Sequence, residues 1–183
     1  MAQRLRKRKI EAPRGRQSCA PSSGQPGAAG AASAGAACCA HRLGRSKCRE
    51  AGRGGARSAL LQGTSDHIRA AVVVAMMSTY KDLLTRYVEL HTHILFPEGL
   101  TDFGDWPDIA GARSPSPLMV LYDIDDILFS LEGMQDADKR LREIYTKSGA
   151  KENYHGEFFP GPHKFDIEMQ EKAFQWLKAN LQN

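Results

Sequence analysis

The chain has 183 residues, with 25 Lys and Arg against 21 Asp and Glu for a net charge of +4, and is long enough for one domain with its own core. That balance hides a division. Residues 1–58 hold 13 of the basic and 2 of the acidic residues, a net +11, whereas residues 59–183 hold 12 and 19, a net −7. All four cysteines (Cys19, Cys38, Cys39, Cys48) fall in the basic part at a spacing that matches no zinc site, which argues against a disulfide-built secreted domain. No apolar run approaches the length of a membrane span, and no apolar stretch of signal-peptide type follows the basic start. The expected setting is therefore cytoplasmic, without membrane contact.

In chain order, Arg4 to Lys9 packs five basic side chains into six residues. The plain reading is a solvated tail; the alternative is a patch for nucleic acid or an acidic partner. Residues 18–40 are almost all Ser, Ala, Gly, Cys and Pro and cannot bury enough apolar surface to offset chain entropy, so 1–40 reads as disordered. No aromatic residue precedes Tyr80, which leaves no stacking platform for single-stranded nucleic acid. Residues 41–58 stay rich in Arg and Gly without a helical period, so 1–58 is taken as one basic, disordered low-complexity segment and 59–183 as the organised part.

Ile68 to Met77 is a continuous apolar run, the pattern of a strand buried on both faces of a parallel sheet. Ser78 can cap a helix over about 79–91, with Tyr80, Leu83, Leu84 and Tyr87 on its buried side. His91-Thr92-His93 and Pro97 to Trp106 read as loop, and Asp108 to Gly111 as a short helical turn. Pro117 to Tyr122 is a second buried strand, followed by an acidic turn with Asp123, Asp125 and Asp126. Ser130 opens a helix with Met134, Ala137, Leu141, Ile144 and Tyr145 as its apolar stripe, and Gly149 stops it. Tyr154 to Phe159 has strand length and aromatic enrichment. A turn stiffened by Pro160, Gly161 and Pro162 then carries His163. Asp166 can cap a last helix over 167–181, with Met169, Ala173, Phe174, Leu177 and Leu181 on one stripe.

The order βα-βα-βα predicts parallel strands joined by right-handed crossovers, an α/β fold. In such sheets chemistry gathers at the carboxyl ends of strands, where Asp126 and His163 both fall, 37 residues apart. One rigidly placed imidazole is what a general base requires, although a histidine in a tight surface turn would show the same spacing.

An acid after one strand, a histidine after the next and a closing amphipathic helix resemble the C-terminal half of an α/β-hydrolase, closest to the dienelactone hydrolase and acetyl-xylan-esterase-like branch. The residues that carry the resemblance span about 65–181. They are Asp66 to Val72, Met76 to Asp82, His91-Thr92-His93, Asp105 to Ile109, Pro117-Leu118 through Asp126 to Phe129, Gly161 to Asp166 and Met169-Gln170. The resemblance implies a serine esterase fold and a carboxylic-ester hydrolase activity that needs no cofactor or metal. It implies His163 as general base and Asp126 as the acid that orients it, with Asp125 as the fallback acid because three carboxylates crowd one turn.

It also implies a Gly-x-Ser-x-Gly elbow before the first strand. A gap-free count from Asp66 places that elbow on Glu50-Ala51-Gly52-Arg53-Gly54, with Gly52 where the serine should stand. The nearest serines, Ser46 and Ser58, lack the flanking glycines. The strands that precede the elbow in the family have no counterpart in 1–40, and the upstream composition resembles GC-rich coding sequence read in a displaced frame. The expectation is a fragment or degenerate member, a pseudoenzyme from a truncated or frameshifted gene, inactive as written and otherwise acting on a small ester substrate. The alternative is a non-catalytic binding or regulatory fragment. It would engage a protein partner through the exposed edge of the sheet, or nucleic acid through the basic tail. A metal hydrolase built on His91, His93 and the Asp123, Asp125 and Asp126 cluster lacks a further ligand at fixed spacing.

Overall fold

The computed structural model describes residues 48–181, and over 48–53 the helical backbone only. The expected disorder of residues 1–40 lies outside the described residues. Helix α1 (Cys48–Thr64) comes first. It is followed by β1 (Ala71–Val74), a short α2 (Tyr80–Asp82), α3 (Trp106–Gly111), β2 (Leu118–Asp123), α4 (Leu131–Lys147), β3 (Tyr154–Phe159) and α5 (Ile167–Leu181). The sheet is parallel in the order β1-β2-β3, with Val73 opposite Val120 and Val120 opposite Gly156. This is the α/β architecture that the alternating strand and helix patterns predict.

The period of two along each strand sorts the core into two layers. Ala71, Val73, Leu118, Val120, Tyr122 and Tyr154 face a cluster with Ala56 and Ala59 of α1, Ala110 of α3, and Met134, Ala137, Leu141 and Tyr145 of α4. Val72, Val74, Met119, Leu121 and Phe159 face Met169 and Ala173 of α5. Both faces are covered, which is why β1 and β2 read as unbroken apolar runs. Each fully buried leucine here, such as Leu118 or Leu121, contributes about 1.5–3 kcal/mol by leaving water.

Three sequence expectations need correction. The boundary at 58/59 falls inside α1, and residues expected to be unstructured are helical. Small residues make that helix useful rather than impossible. Ala56 and Ala59 are fully buried, and a Cβ on Gly55 would collide with Met76 and stand 2.7 Å from the Val74 carbonyl oxygen. Close helix–strand approach outweighs the weak helix propensity of glycine.

The helix expected over about 79–91 is broken into α2, a π-helical turn (Leu83–Tyr87) and a 3-10 turn (Val88–Leu90). Tyr80 and Leu83 are buried as expected, but the register change swings Leu84 out to 54% exposure. The N-terminus is not capped by the Ser78 side chain either. The carboxylate of Asp105, 25 residues on, accepts the Tyr80 N–H at 2.8 Å. Asp105 also opens α3, where it forms a capping box with Asp108.

The second half follows its sequence pattern closely. Ser130 accepts the Gly133 N–H at 2.9 Å, the predicted cap of α4. Gly149 adopts φ 70 just beyond the helix, a backbone that favours glycine. Asp166 accepts the Met169 N–H at 3.1 Å and caps α5, although Phe174 on its expected stripe stands 48% exposed. No helix among the described residues is long and apolar enough to cross a membrane.

Candidate active site

β2 ends at Asp123 and β3 ends at Phe159, so the turns that follow leave the same edge of the sheet side by side. The first carries Asp125 and Asp126, and the second carries His163. Backbone hydrogen bonds stitch them together, from Ile124 N to Phe159 O at 2.9 Å and from Asp125 N to Gly161 O at 3.1 Å. Gly161 adopts φ 109, a conformation few side chains tolerate, at the point where the chain turns towards His163.

The result is one short contact. Asp126 Oδ2 lies 2.6 Å from His163 Nδ1, with the two side chains only 1% and 5% exposed. The other Asp126 oxygen accepts the Leu128 N–H at 2.9 Å. A carboxylate held by a backbone amide on one oxygen and by Nδ1–H on the other fixes the imidazole tautomer, so the basic lone pair of the neutral ring resides on Nε2. Such a pair can accept a proton at Nε2 and stabilise the imidazolium that forms.

The remaining acids of this turn have separate tasks. Asp125 Oδ2 accepts the Gly161 N–H at 2.9 Å, holding the histidine turn rather than the histidine ring. Asp123 is fully buried at the end of β2, and its Oδ2 accepts the Lys164 N–H at 2.8 Å. Burial, reinforced by the neighbouring Asp126 carboxylate, pushes the Asp123 carboxyl up to about 7 against the opposing pull of Lys164 and His163. The sequence placed Asp123 in a crowd of acids. Its signal was there in the strand pattern, since the last residue of a doubly buried strand is itself buried.

His91 approaches from the segment after α2. Its Nε2 donates to the Leu128 carbonyl at 2.8 Å, which can only accept, and its ring lies 4.7 Å from that of Phe129. Burial pulls the His91 imidazole below its ordinary value, and Asp126 and His163 are both near enough to influence it. His91 thus buttresses the acid turn: it holds the carbonyl of the residue whose N–H is held by Asp126. His93 lies in a 3-10 turn (His93–Leu95) and is not part of this group.

Atoms of Asp123, Asp126 and His163 lie within 4.8 Å of one another, a spacing a cation could bridge. The geometry already has a use for the donors, in the Asp126–His163 contact and the Asp123–Lys164 bond, and neither His91 nor His93 joins them. Gly52, where the sequence count places the nucleophile, lies within the helical backbone of α1 rather than at a strand-to-helix turn. Ser58 is on the same helix, and Ser46 lies outside the described residues.

Parallel strands that bring an acid and a histidine to one end of the sheet, with helices on both faces, make an α/β arrangement shared with α/β-hydrolase-type structures. No protein-family model and no curated protein sequence matches the chain. Among solved structures, Methylesterase BT1017 is similar with a TM-score of 0.53 at 18% identity, covering 71% of this chain and 28% of its own. An acyl-protein thioesterase 2 from Zea mays gives a TM-score of 0.38 at 14% identity, covering 73% of this chain and 52% of its own. The methylesterase likeness supports the fold. The chain spans about a quarter of that protein's length and about half of the thioesterase's.

Proposed function

We propose that this chain carries the acid–base half of a carboxylic-ester hydrolase, with His163 as general base and Asp126 as its orienting acid. The observation that carries the reading is the 2.6 Å Asp126–His163 contact, nearly closed to solvent at the carboxyl edge of parallel strands. In ester hydrolysis the imidazole removes the proton from an attacking hydroxyl and later gives it to the leaving alkoxide, while the carboxylate steadies the intervening positive charge. A small ester is the substrate class this chemistry fits, and the sequence motifs favour the dienelactone hydrolase and acetyl-xylan-esterase-like branch.

The nucleophile is the missing piece. Gly52 has no hydroxyl, so the polypeptide as written is a degenerate member whose histidine has water alone to activate. The test is hydrolysis of a short-chain aryl ester by the purified chain beside a His163→Ala control. Turnover at the buffer rate in both is the expected result. Turnover by the unmodified chain that His163→Ala abolishes would restore the full enzyme reading and overturn the degenerate one.

A non-catalytic role is the second reading, and one observation favours it. Among the described residues β1 pairs with a strand on one side only, so its far edge offers main-chain groups to a further strand. A protein partner is the class this edge fits. Failure of the purified chain to gain strand content or to bind any extended peptide in a β1-edge display screen would remove this reading.

A further inference from the structure

The Asp126–His163 pair leaves one oxygen of the third member of its cluster, Asp123, without an evident task. Asp123 is 0% exposed at the last position of β2, where an ionisable side chain is costly. Its Oδ2 is anchored to the N–H of Lys164, the residue that follows His163. Its Oδ1 is buried with no hydrogen-bond partner among the described residues. Asp123, Asp126 and His163 each present an atom within 4.8 Å of the others.

We propose that Asp123 is a positioning residue for His163, placing the histidine turn through Lys164 and setting the protonation state of the imidazole as the second carboxylate of a three-group cluster. The proposal rests on the reading of His163 as a general base, but its own content is the coupling of Asp123 to that ring.

Two ionised carboxylates cannot share a buried site with a neutral ring cheaply, so one of them holds a proton. Asp126 accepts from both the Leu128 N–H and His163, whereas Asp123 accepts from one amide alone. The charge therefore stays on Asp126 and the proton on Asp123, in keeping with an Asp123 carboxyl pushed up to about 7 chiefly by burial. When the imidazole gains a proton, its positive charge favours release of the Asp123 proton to solvent. The cluster then carries one net negative charge in both arrangements, so the protein need not accommodate a new buried charge as the base works.

Other charged groups approach from the elements packed around the cluster. Burial pulls the His91 imidazole below its ordinary value and its Nε2 faces the Leu128 carbonyl, while Asp125 is held by the Gly161 N–H. The Lys164 ammonium is paired with Asp166 at 2.6 Å. None of them supplies the second carboxylate.

The test follows the His163 ring by nuclear magnetic resonance in the full chain across roughly pH 4 to 9. Asp123→Asn keeps an oxygen for the Lys164 N–H and stays neutral. The unmodified chain should show a second inflection near pH 7 in the His163 signal, reporting Asp123. In Asp123→Asn that inflection should vanish, and the His163 midpoint should move to lower pH because one stabilising carboxylate is gone. Asp123→Ala should in addition speed exchange of the Lys164 amide, roughly tenfold for one lost hydrogen bond. If Asp123→Ala does not fold, Asp123→Asn alone decides. Superimposable His163 curves in the unmodified chain and Asp123→Asn would overturn the proposal. Ester turnover is not read in any arm, so the ester assay can restore or leave the degenerate reading without altering the outcome of these titrations.

Discussion

Asp125 and Gly161 grip each other from both directions: the Asp125 N–H donates to the Gly161 carbonyl at 3.1 Å, and the Gly161 N–H donates to the Asp125 carboxylate at 2.9 Å. Neither residue touches the imidazole through these bonds, yet together they set the distance between the turn that carries Asp126 and the turn that carries His163. A carboxylate used in this way is not available as the acid for His163, which is why the immediate neighbour, Asp126, makes the 2.6 Å contact. The clamp restricts both turns and so holds Asp126 and His163 at their contact distance, the preorganisation that the proposed proton-transfer role requires.

Removing the clamp should loosen the turns without collapsing the core. Asp125→Ala deletes the acceptor of the Gly161 N–H and is expected to cost about 1 kcal/mol in urea denaturation, as for a single hydrogen bond near the surface. Asp125→Asn retains an acceptor oxygen and should stay within about 0.5 kcal/mol of the unmodified chain. Equal losses for the two substitutions would mean that the carboxylate charge, rather than the hydrogen bond to Gly161, holds the turn.

Much of this arrangement is legible in the sequence because it is encoded locally. Ser130 caps α4 and Asp166 caps α5 through side-chain oxygens that accept the N–H three residues on, and the Met134, Ala137, Leu141 and Tyr145 stripe repeats within one helix. His163 could be placed at the sheet edge because prolines, a glycine and a strand of clear length surround it. What escaped is set by contacts between distant residues. Asp105 caps α2 from 25 residues away, and nothing near Tyr80 in the sequence signals that. The π-helical turn that exposes Leu84 keeps the composition of an ordinary helix. The first helix escaped for a related reason: an Arg- and Gly-rich stretch carries no apolar period, and Gly55 becomes intelligible only against β1.

That reading of α1 makes a sharp prediction at Gly55. A methyl group there would meet the Val74 carbonyl oxygen at 2.7 Å and collide with Met76, so helix and strand must separate to admit it. Gly55→Ala should destabilise by about 1–3 kcal/mol, and Gly55→Val by more, with a lower thermal midpoint in each. Gly149 provides the contrast. It has open space around it but φ +70, so Gly149→Ala should cost about 1 kcal/mol from backbone strain alone. A Gly55→Ala chain as stable as the unmodified one would show that α1 is not packed on β1 in solution.

Asp123 should leave a signature in the pH dependence of stability. Its folded carboxyl lies at about 7, above the ordinary value of 3.8 that the unfolded chain adopts. Proton binding is therefore tighter in the folded state, and the stability it contributes is fully present below about pH 3.8 and lost as pH rises through about 7. Asp123→Asn has no such titration. The stability of Asp123→Asn relative to the unmodified chain should then grow between about pH 4 and 7 and level off above, measured by urea denaturation at each pH. Carboxylates outside the cluster titrate equally in both chains and cancel, so the difference reads Asp123 together with the His163 and Asp126 groups coupled to it. A gap independent of pH would place the Asp123 carboxyl near its ordinary value.

The last prediction concerns the nucleophile. The unmodified chain should not react with a serine-directed fluorophosphonate, since Gly52 stands at the position the sequence count assigns to the attacking serine. The more demanding expectation is that Gly52→Ser also remains unlabelled. A nucleophile elbow presents its serine on a strained turn between a strand and a helix, with backbone N–H groups arranged for the developing oxyanion. Residue 52 instead lies within α1, whose helical backbone already runs from Cys48, and no strand precedes that helix among the described residues. A hydroxyl placed there would gain the side chain of the nucleophile without the geometry that activates it. Labelling of Gly52→Ser that depends on His163 would mean that the start of α1 can open into an elbow within reach of the imidazole. Labelling of the unmodified chain at Ser46 or Ser58 would place the nucleophile elsewhere and overturn the assignment of Gly52 altogether.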